Sequence, residues 1–238
     1  MLTEHHCHIL PNIDDGSKSV EMSLEMIGLM KSQGVGEIFA TPHFYAHHEK
    51  SVSSYLKKRQ SAFESLVQAE ASAADIRLGA EVAIEHGISQ LEDIHKLSMA
   101  DTGYILLEFP YAPFSHWMLN EITDIAYGFG LKPIIAHVHR CLAYCKKAEI
   151  EEILRLDAVF QINNEAFGSF RERRFVKALI KEGYPYLFGS DAHNLSGRKP
   201  NWDLLMKKAR PQVIEGAVNI LSIFIRRPGN LRGGCFFD

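Results

Sequence analysis

The chain is poor in cysteine, with four among 238 residues, and Cys7, Cys141, Cys145 and Cys235 form no C-x-x-C pair. That scatter excludes a disulfide framework and a thiolate-held structural zinc, and predicts free thiols. No stretch approaches the roughly 20 apolar residues of a membrane span, and the first residues contain no apolar signal-peptide core. The chain therefore reads as cytoplasmic, without membrane insertion. Neither sign of charge dominates: 26 Lys and Arg against 29 Asp and Glu leave a formal net charge of −3. With no basic run, a nucleic-acid partner is excluded. Internal repeats, low-complexity tracts and interdomain linkers are also missing, so residues 1–238 are expected to form one domain.

Histidine, by contrast, is abundant, with twelve residues, several of them clustered. The stretch Glu4-His5-His6-Cys7-His8 reads as a β-strand. Alternation then points His6 and His8 to one side and Cys7 to the other, so that two imidazoles converge. Asn12, Asp14, Asp15 and Gly16 follow in a turn-rich loop, and Val20 to Met30 has helical spacing with Ser17 or Ser19 as a cap. The pattern then repeats. Short apolar runs occur at Gly36 to Thr41, Ile76 to Val82, Tyr104 to Pro110, Pro133 to Arg140, Ala158 to Asn164 and Tyr186 to Ser190. Helical stretches separate them at Val52 to Ala73, His86 to His95, Trp117 to Phe129, Ala148 to Leu156 and Phe170 to Lys181. Phe44 to Ser54 reads as an inserted loop. Two more helical stretches follow from Trp202, the second opened by Pro211, and a tail from Asn230 to Asp238 carries no assignable chemistry.

Seven apolar runs alternating with helices predict a parallel α/β fold, either an open doubly wound sheet or a barrel. Polar side chains accompany six of the runs: His6, His8, Asp15, His43, Glu81, Glu108, His137, Asp191 and His193. A barrel is the simplest way to bring so many strand ends together, at the face where such folds place their chemistry. Nine nitrogen and oxygen donors without a thiolate suit two or three divalent ions, Mn, Fe or Zn, better than one. The sixth run offers only amides. His47, His48, His86, His95 and His116 fall outside the pattern and read as surface residues.

Taken in order, these residues resemble the polymerase-and-histidinol-phosphatase (PHP) superfamily, and within it the manganese-dependent tyrosine phosphatases encoded with bacterial capsule and exopolysaccharide genes. The resemblance is carried by His6-Cys7-His8-Ile9-Leu10-Pro11 with Asp14-Asp15-Gly16, and by Ala40-Thr41-Pro42-His43, Gly79-Ala80-Glu81, Leu107-Glu108-Phe109, Ile135-Ala136-His137 and Ser190-Asp191-Ala192-His193-Asn194. It implies a distorted seven-stranded TIM-like βα barrel with a trinuclear centre. His6, His8, Glu81 and Asp191 would hold one metal, Glu81, Glu108 and His137 a second, and Asp15, His43 and His193 a third. It also implies Mn as the most favoured ion, Arg140 and Arg198 as phosphate contacts, and a tyrosine-phosphorylated protein as substrate. The implied partner is an autophosphorylating bacterial tyrosine kinase.

The implied reaction is metal-assisted hydrolysis of a phosphate monoester. No cysteine has an arginine at C-x5-R spacing, which disfavours a phosphocysteine route. His193 and His139 are the candidates for any general acid. Competing expectations are a small-molecule phosphatase acting on an ester such as histidinol phosphate, a C–N hydrolase of the amidohydrolase type, and a non-catalytic PHP regulatory module. Three segments depart from the family pattern: Glu4-His5, Val138-His139 and Asn163-Asn164-Glu165. The first two lie beside expected ligands, where neighbouring hydrogen bonds tune metal affinity, and Glu165 places a carboxylate near the expected phosphate pocket.

Overall fold

The computed structural model describes residues 1–221; the tail from Asn230 and Cys235 lie outside the described residues. Strand β1 (Leu2–Cys7) leads into helix α1 (Val20–Ser32), whose first turn is capped by the Ser19 side chain accepting from the Met22 amide. Then follow β2 (Val35–Ala40), β3 (His43–Phe44), α2 (Val52–Ala69), β4 (Arg77–Leu78), β5 (Glu81–Ala83) and β6 (Tyr104–Glu108). The order continues with α3 (His116–Phe129), β7 (Lys132–Ile135), α4 (Lys147–Leu154), β8 (Val159–Asn163), α5 (Phe170–Lys181), β9 (Tyr186–Gly189), α6 (Trp202–Lys208) and α7 (Pro211–Glu215). No helix among the described residues is long and apolar enough to cross a membrane.

This is a mixed α/β fold in which every strand pairing among the described residues is parallel, in two sheets ordered β1-β2-β4 and β3-β5-β6-β7-β8-β9. Seven expected runs become nine strands among the described residues because two of them divide. Pro42 has no N–H to continue β2, so the strand stops and restarts as β3. The run from Ile76 to Val82 breaks at Gly79-Ala80, where a Cβ on Gly79 would lie 3.2 Å from Met99 Cγ and 3.3 Å from Thr41 Cγ2. The breaks match, and pairing passes across them through Gly79 N to Ala40 O (2.9 Å) and Glu81 N to Pro42 O (3.0 Å). At the outer edges β1 meets the chain after β9, with Asp191 N donating to His6 O and His8 N to Ala192 O.

Two further expectations change. His86 to His95 forms 3₁₀ turns instead of a helix, because Gly87 and Asp93 sit at φ +80° and +66° and interrupt it. The fifth run ends as β-structure at Ile135, since His137 takes φ +28° and Val138–Ala143 coils into a 3₁₀ turn. His137 and Arg140 thus stand on a turn above the strand end. Helices α1, α3 and α5 bury Met26, Ile27 and Met30, then Met118, Ile122 and Ile125, then Val176 and Leu179, in the main hydrophobic core.

Glu4 ties the beginning of this ring to its end. Its Oε1 accepts from the amides of His6 (3.0 Å) and Ser190 (2.8 Å), and its Oε2 from Trp202 Nε1 (2.7 Å), all in the interior. Burial pushes its carboxyl upward and these donors oppose that. His5 is also structural: Nδ1 donates to Phe188 O, the ring stacks on Phe39, and burial lowers its pKa to about 4. Both departures from the family pattern in β1 therefore serve packing. Replacing Glu4 by Ala strands three buried donors and is expected to cost about 2–4 kcal/mol, against about 1–2 for Trp202→Phe. Urea unfolding measures both; equal, negligible losses would contradict the clamp.

Candidate metal centre

One face of the sheets, at the ends and breaks of the strands and in the segments just beyond them, brings together all nine of the donors named from sequence. His6 and His8 on β1 direct Nε2 inward, while Cys7 turns the other way and donates Sγ–H to Phe39 O. Burial pushes that thiol up, so Cys7 is not a nucleophile. Three imidazoles have their outer nitrogen engaged. His8 Nδ1 donates to Asp14 Oδ2 (2.7 Å), His6 Nδ1 to Gln161 Oε1 (3.2 Å) and His193 Nδ1 to the Asp191 carbonyl (2.9 Å). Each Nε2 is left as the lone-pair atom facing the cluster.

The loop after β1 explains the Asp-Asp-Gly motif. Asp14 Oδ1 accepts from Gly16 N (2.9 Å) and closes the turn, while Oδ2 accepts from His43 N (2.9 Å) as well as His8. Asp15 is thereby turned toward His193 Nε2 (3.3 Å) and His43 Nε2 (3.5 Å). Position 16 has to be glycine, because a Cβ there would stand 2.3 Å from His8 O. Gly189 plays the same part at β9, where a Cβ would meet His6 Cβ at 2.7 Å.

Glu81 is the centre of the arrangement. Its Oε2 lies 3.1 Å from each of His6 Nε2, His8 Nε2 and His43 Nδ1, and its Oε1 lies 3.0 Å from His137 Nε2. Glu108 approaches His137 Nε2 at 3.2 Å and His43 Nδ1 at 3.7 Å. Asp191 Oδ1 sits 3.5 Å from each of His6 Nε2, His8 Nε2 and His193 Nδ1. Burial alone would raise the Glu81 and Asp191 carboxyls, but the imidazoles around both, and Arg140 beside Asp191, hold them well below the ordinary range. Burial would likewise lower His137, yet Glu108 and Glu81 carry it to about 9.

Donor atoms in this cluster gather without pairing. Glu81 Oε2, Asp191 Oδ1, His43 Nδ1 and His193 Nε2 are shut off from water and make no well-aligned hydrogen bond, despite neighbours at 3.1–3.5 Å. Buried polar atoms left so are rare, and lone pairs converging on common points are what a cation requires. Among the described residues three groups have ligand atoms within 4.8 Å of one another: His6, His8, Glu81 and Asp191; His43, Glu81 and Glu108; and His8, Asp15, His43 and His193. The first coincides with the set implied by the resemblance. In the second His43 stands where His137 was expected, and in the third His8 joins. The residues therefore fit divalent metals.

The far side of Asp191 faces the arginines. Oδ2 accepts from Arg140 Nη2 (2.7 Å), Arg198 Nη2 (2.8 Å) and Asn163 Nδ2 (3.0 Å). Arg140 Nη2 also reaches Glu165 Oε1 (2.8 Å), and Nη1 donates to the Tyr111 hydroxyl (3.0 Å). His139 is buried, with Nε2 4.0 Å from Glu165 Oε1, and burial depresses its pKa. Asp191 and His137 are non-glycine residues at φ +52° and +28°, conformations held against strain by the surrounding bonds. Asp14 and Asn163 appear in the sequence motifs without a role of their own, and Gln161 and Tyr111 were not singled out from sequence. Gln161 carried a signal, as an amide inside a buried apolar strand; its Oε1 accepts from His137 N and so positions two imidazoles. The remaining histidines lie outside the three groups: His47 contacts Glu85, His116 contacts Glu152, and His86 stacks on Trp117.

Fold and cluster together define a parallel α/β protein with a histidine–carboxylate centre suited to divalent metal at its strand ends. Residues 2–231 match the family described as capsular polysaccharide synthesis, CpsB/CapC, and the chain belongs to that family. Among its relatives, tyrosine-protein phosphatase YwqE of Bacillus subtilis (strain 168) is 29% identical over 204 residues, covering 81% of this chain and 78% of that protein. Tyrosine-protein phosphatase CpsB of Streptococcus pneumoniae is 27% identical over 245 residues, covering 94% and 95%. A structure from crystallographic work on YwqE and CpsB, described there as unique metal-dependent tyrosine phosphatases, superposes with a TM-score of 0.71 at 26% identity, covering 90% of each chain.

Asp14 offers the cluster no ligand atom of its own but fixes the His8 ring, so Asp14→Ala is expected to weaken Mn binding about 10- to 100-fold with the fold retained. Glu81→Ala, which removes the shared oxygen, should abolish high-affinity binding. Calorimetric Mn titration distinguishes them, and unchanged affinity in Asp14→Ala would refute its orienting role.

Proposed function

We propose that this chain is a metal-dependent phosphatase that removes phosphate from tyrosine in a protein substrate and takes part in controlling capsular or exopolysaccharide synthesis. The observation that carries the reading is the two-sided Asp191 carboxylate, with Oδ1 among the imidazoles and Oδ2 holding two guanidinium groups. A phosphate dianion spanning those two regions meets charge of the right sign at both ends. Membership of the CpsB/CapC family and the names of its relatives support the same substrate class.

In this reading His6, His8, Asp15, His43, Glu81, Glu108, His137, Asp191 and His193 hold two or three divalent ions, with Mn favoured over Fe or Zn. Such ions, when bound, supply Lewis-acid charge and lower the pKa of water so that it attacks phosphorus at neutral pH. The protein's own residues do the rest. Arg140 and Arg198 present guanidinium forks to the phosphate oxygens and stay protonated throughout; burial disfavours the Arg140 charge, but Asp191 outweighs it. Asp191 and Asn163 fix where those forks point. Water forms the new P–O bond, the bond to the phenolic oxygen breaks, and no residue is phosphorylated. A phenolate leaves more readily than an alkoxide, so acid assistance matters less than for an alkyl ester; His193, whose Nδ1 donates to the Asp191 carbonyl, and the buried His139 are the candidates for it.

We read the two sheets as one distorted seven-position barrel, since β2 with β3 and β4 with β5 each occupy one position and the backbone bonds between β1 and the segment after β9 favour closure. Residues 1–238 are taken as one domain of a cytoplasmic protein, and the partner as an autophosphorylating tyrosine kinase.

Arg140→Ala is expected to lower kcat/KM on a phosphotyrosine peptide at least about 100-fold while bound metal is unchanged, and Arg140→Lys to recover only part of the loss. Wild-type turnover should favour that peptide over a phosphoserine peptide and over histidinol phosphate. Equal or faster release from histidinol phosphate would make this a small-molecule phosphatase, and release from none of them would make it a binding module.

A further inference from the structure

Tyr111 is an exposed aromatic side chain at the rim of the site, and the reaction as described gives it no task. It lies three residues beyond Glu108, in the loop Phe109-Pro110-Tyr111-Ala112-Pro113 that follows β6. Two prolines with fixed φ and an Ala112 N to Pro110 O bond (2.7 Å) stiffen that loop. The ring is steered from two sides: the hydroxyl accepts from Arg140 Nη1 at 3.0 Å, and Tyr144 meets the ring edge-on, with centroids 5.6 Å apart and planes at 61°. On its inner side it lies nearly parallel to His137, at 28° and 6.4 Å. It nevertheless stays 64% exposed. A large, rigidly held aromatic face left to solvent beside a guanidinium and a metal-suited cluster is a surface for a ligand group, not part of the core.

We propose that Tyr111 is a specificity-determining residue whose ring packs against the aryl group of an aryl phosphate while Arg140 takes the phosphate. This rests on the phosphatase reading and names the feature that makes the site choose a phenolic ester over an alkyl one. Because the hydroxyl accepts from Arg140, a phosphoryl group whose oxygens accept from that guanidinium would have its ester carbons within reach of the Tyr111 ring. A phenyl group there gains an offset or edge-on aromatic contact, whereas a seryl or other alkyl ester has no ring to place. Aromatic pairs of this kind are worth about 0.5–1.5 kcal/mol, or roughly 2- to 12-fold in affinity. Because the loop is already ordered, little of that gain is lost to entropy on binding.

The test uses phenylphosphonate and methylphosphonate, two non-hydrolysable dianions that differ in the ring, titrated by calorimetry into the Mn-loaded protein. Wild type should bind the phenyl compound more tightly. Tyr111→Phe should keep that preference, since the ring remains, whereas Tyr111→Ala and Tyr111→Leu should each reduce the phenyl-to-methyl ratio roughly 2- to 12-fold. An unchanged ratio in both variants, or a loss shared equally by the two ligands, would overturn the proposal and leave Tyr111 as a support for Arg140. Wild type binding neither phosphonate would overturn it together with the phosphate site. A ratio that falls as expected, in a protein that releases no phosphate from phosphotyrosine peptide, would uphold the recognition role and contradict the hydrolytic reading.

Discussion

Glu81 Oε2 lies inside the protein at 3.1 Å from three imidazole nitrogens, those of His6, His8 and His43, and an ionised oxygen so placed is tolerable only with positive charge gathered around it. The rest of the architecture follows from supplying that charge. Glu108 and Asp191 are buried in the same cluster and Asp15 reaches in from its edge, so the cluster holds more carboxylate than its own hydrogen bonds can balance. The imidazoles turn lone pairs toward it, and divalent ions, if bound there, would supply the balancing charge. The two arginines on the outer oxygen of Asp191 add positive charge on its far side.

Holding these groups in place requires the backbone to come unusually close. Gly16 lets the Asp14–Asp15 turn lie on His8, and Gly189 lets β9 pass against His6, each where a Cβ would meet atoms at under 3 Å. His137 and Asp191 accept positive φ angles, and the bonds from Gln161 and Asn163 hold them there. Beneath this layer Glu4 joins β1, β9 and α6, so the clamp that aligns the sheets also sets the platform on which His6 and His8 stand. Stability and site geometry are coupled through one strand.

Much of this was legible in the sequence because buried strands are apolar, and a His, Asp or Glu closing such a run stands out. The runs ending near His8, Glu108 and Asp191, and the convergence of their side chains, follow from that contrast alone. Division of the third run was not legible: Gly79-Ala80 is compatible with a continuous strand, and only contact with Met99 and Thr41 shows the break. His137 to Arg140 alternates as a strand would, and nothing local announces the positive φ that turns it. The exchange of His137 for His43 in one donor group depends on how side chains meet across three strands, which spacing cannot specify. Asp14 and Asp15 are chemically alike in sequence; the glycine that follows decides which one closes the turn.

The most direct test of this account is to count the metal and follow the reaction in one sample. Purified protein is stripped by chelation and reloaded with Mn in steps, with metal per chain measured by mass spectrometry and phosphate release from a phosphotyrosine peptide recorded at each step. Two or three ions per chain are expected at saturation, with no release from the stripped protein and a rate that rises with occupancy. Undiminished release after stripping, or saturation with Mn at every donor group without release, would contradict it.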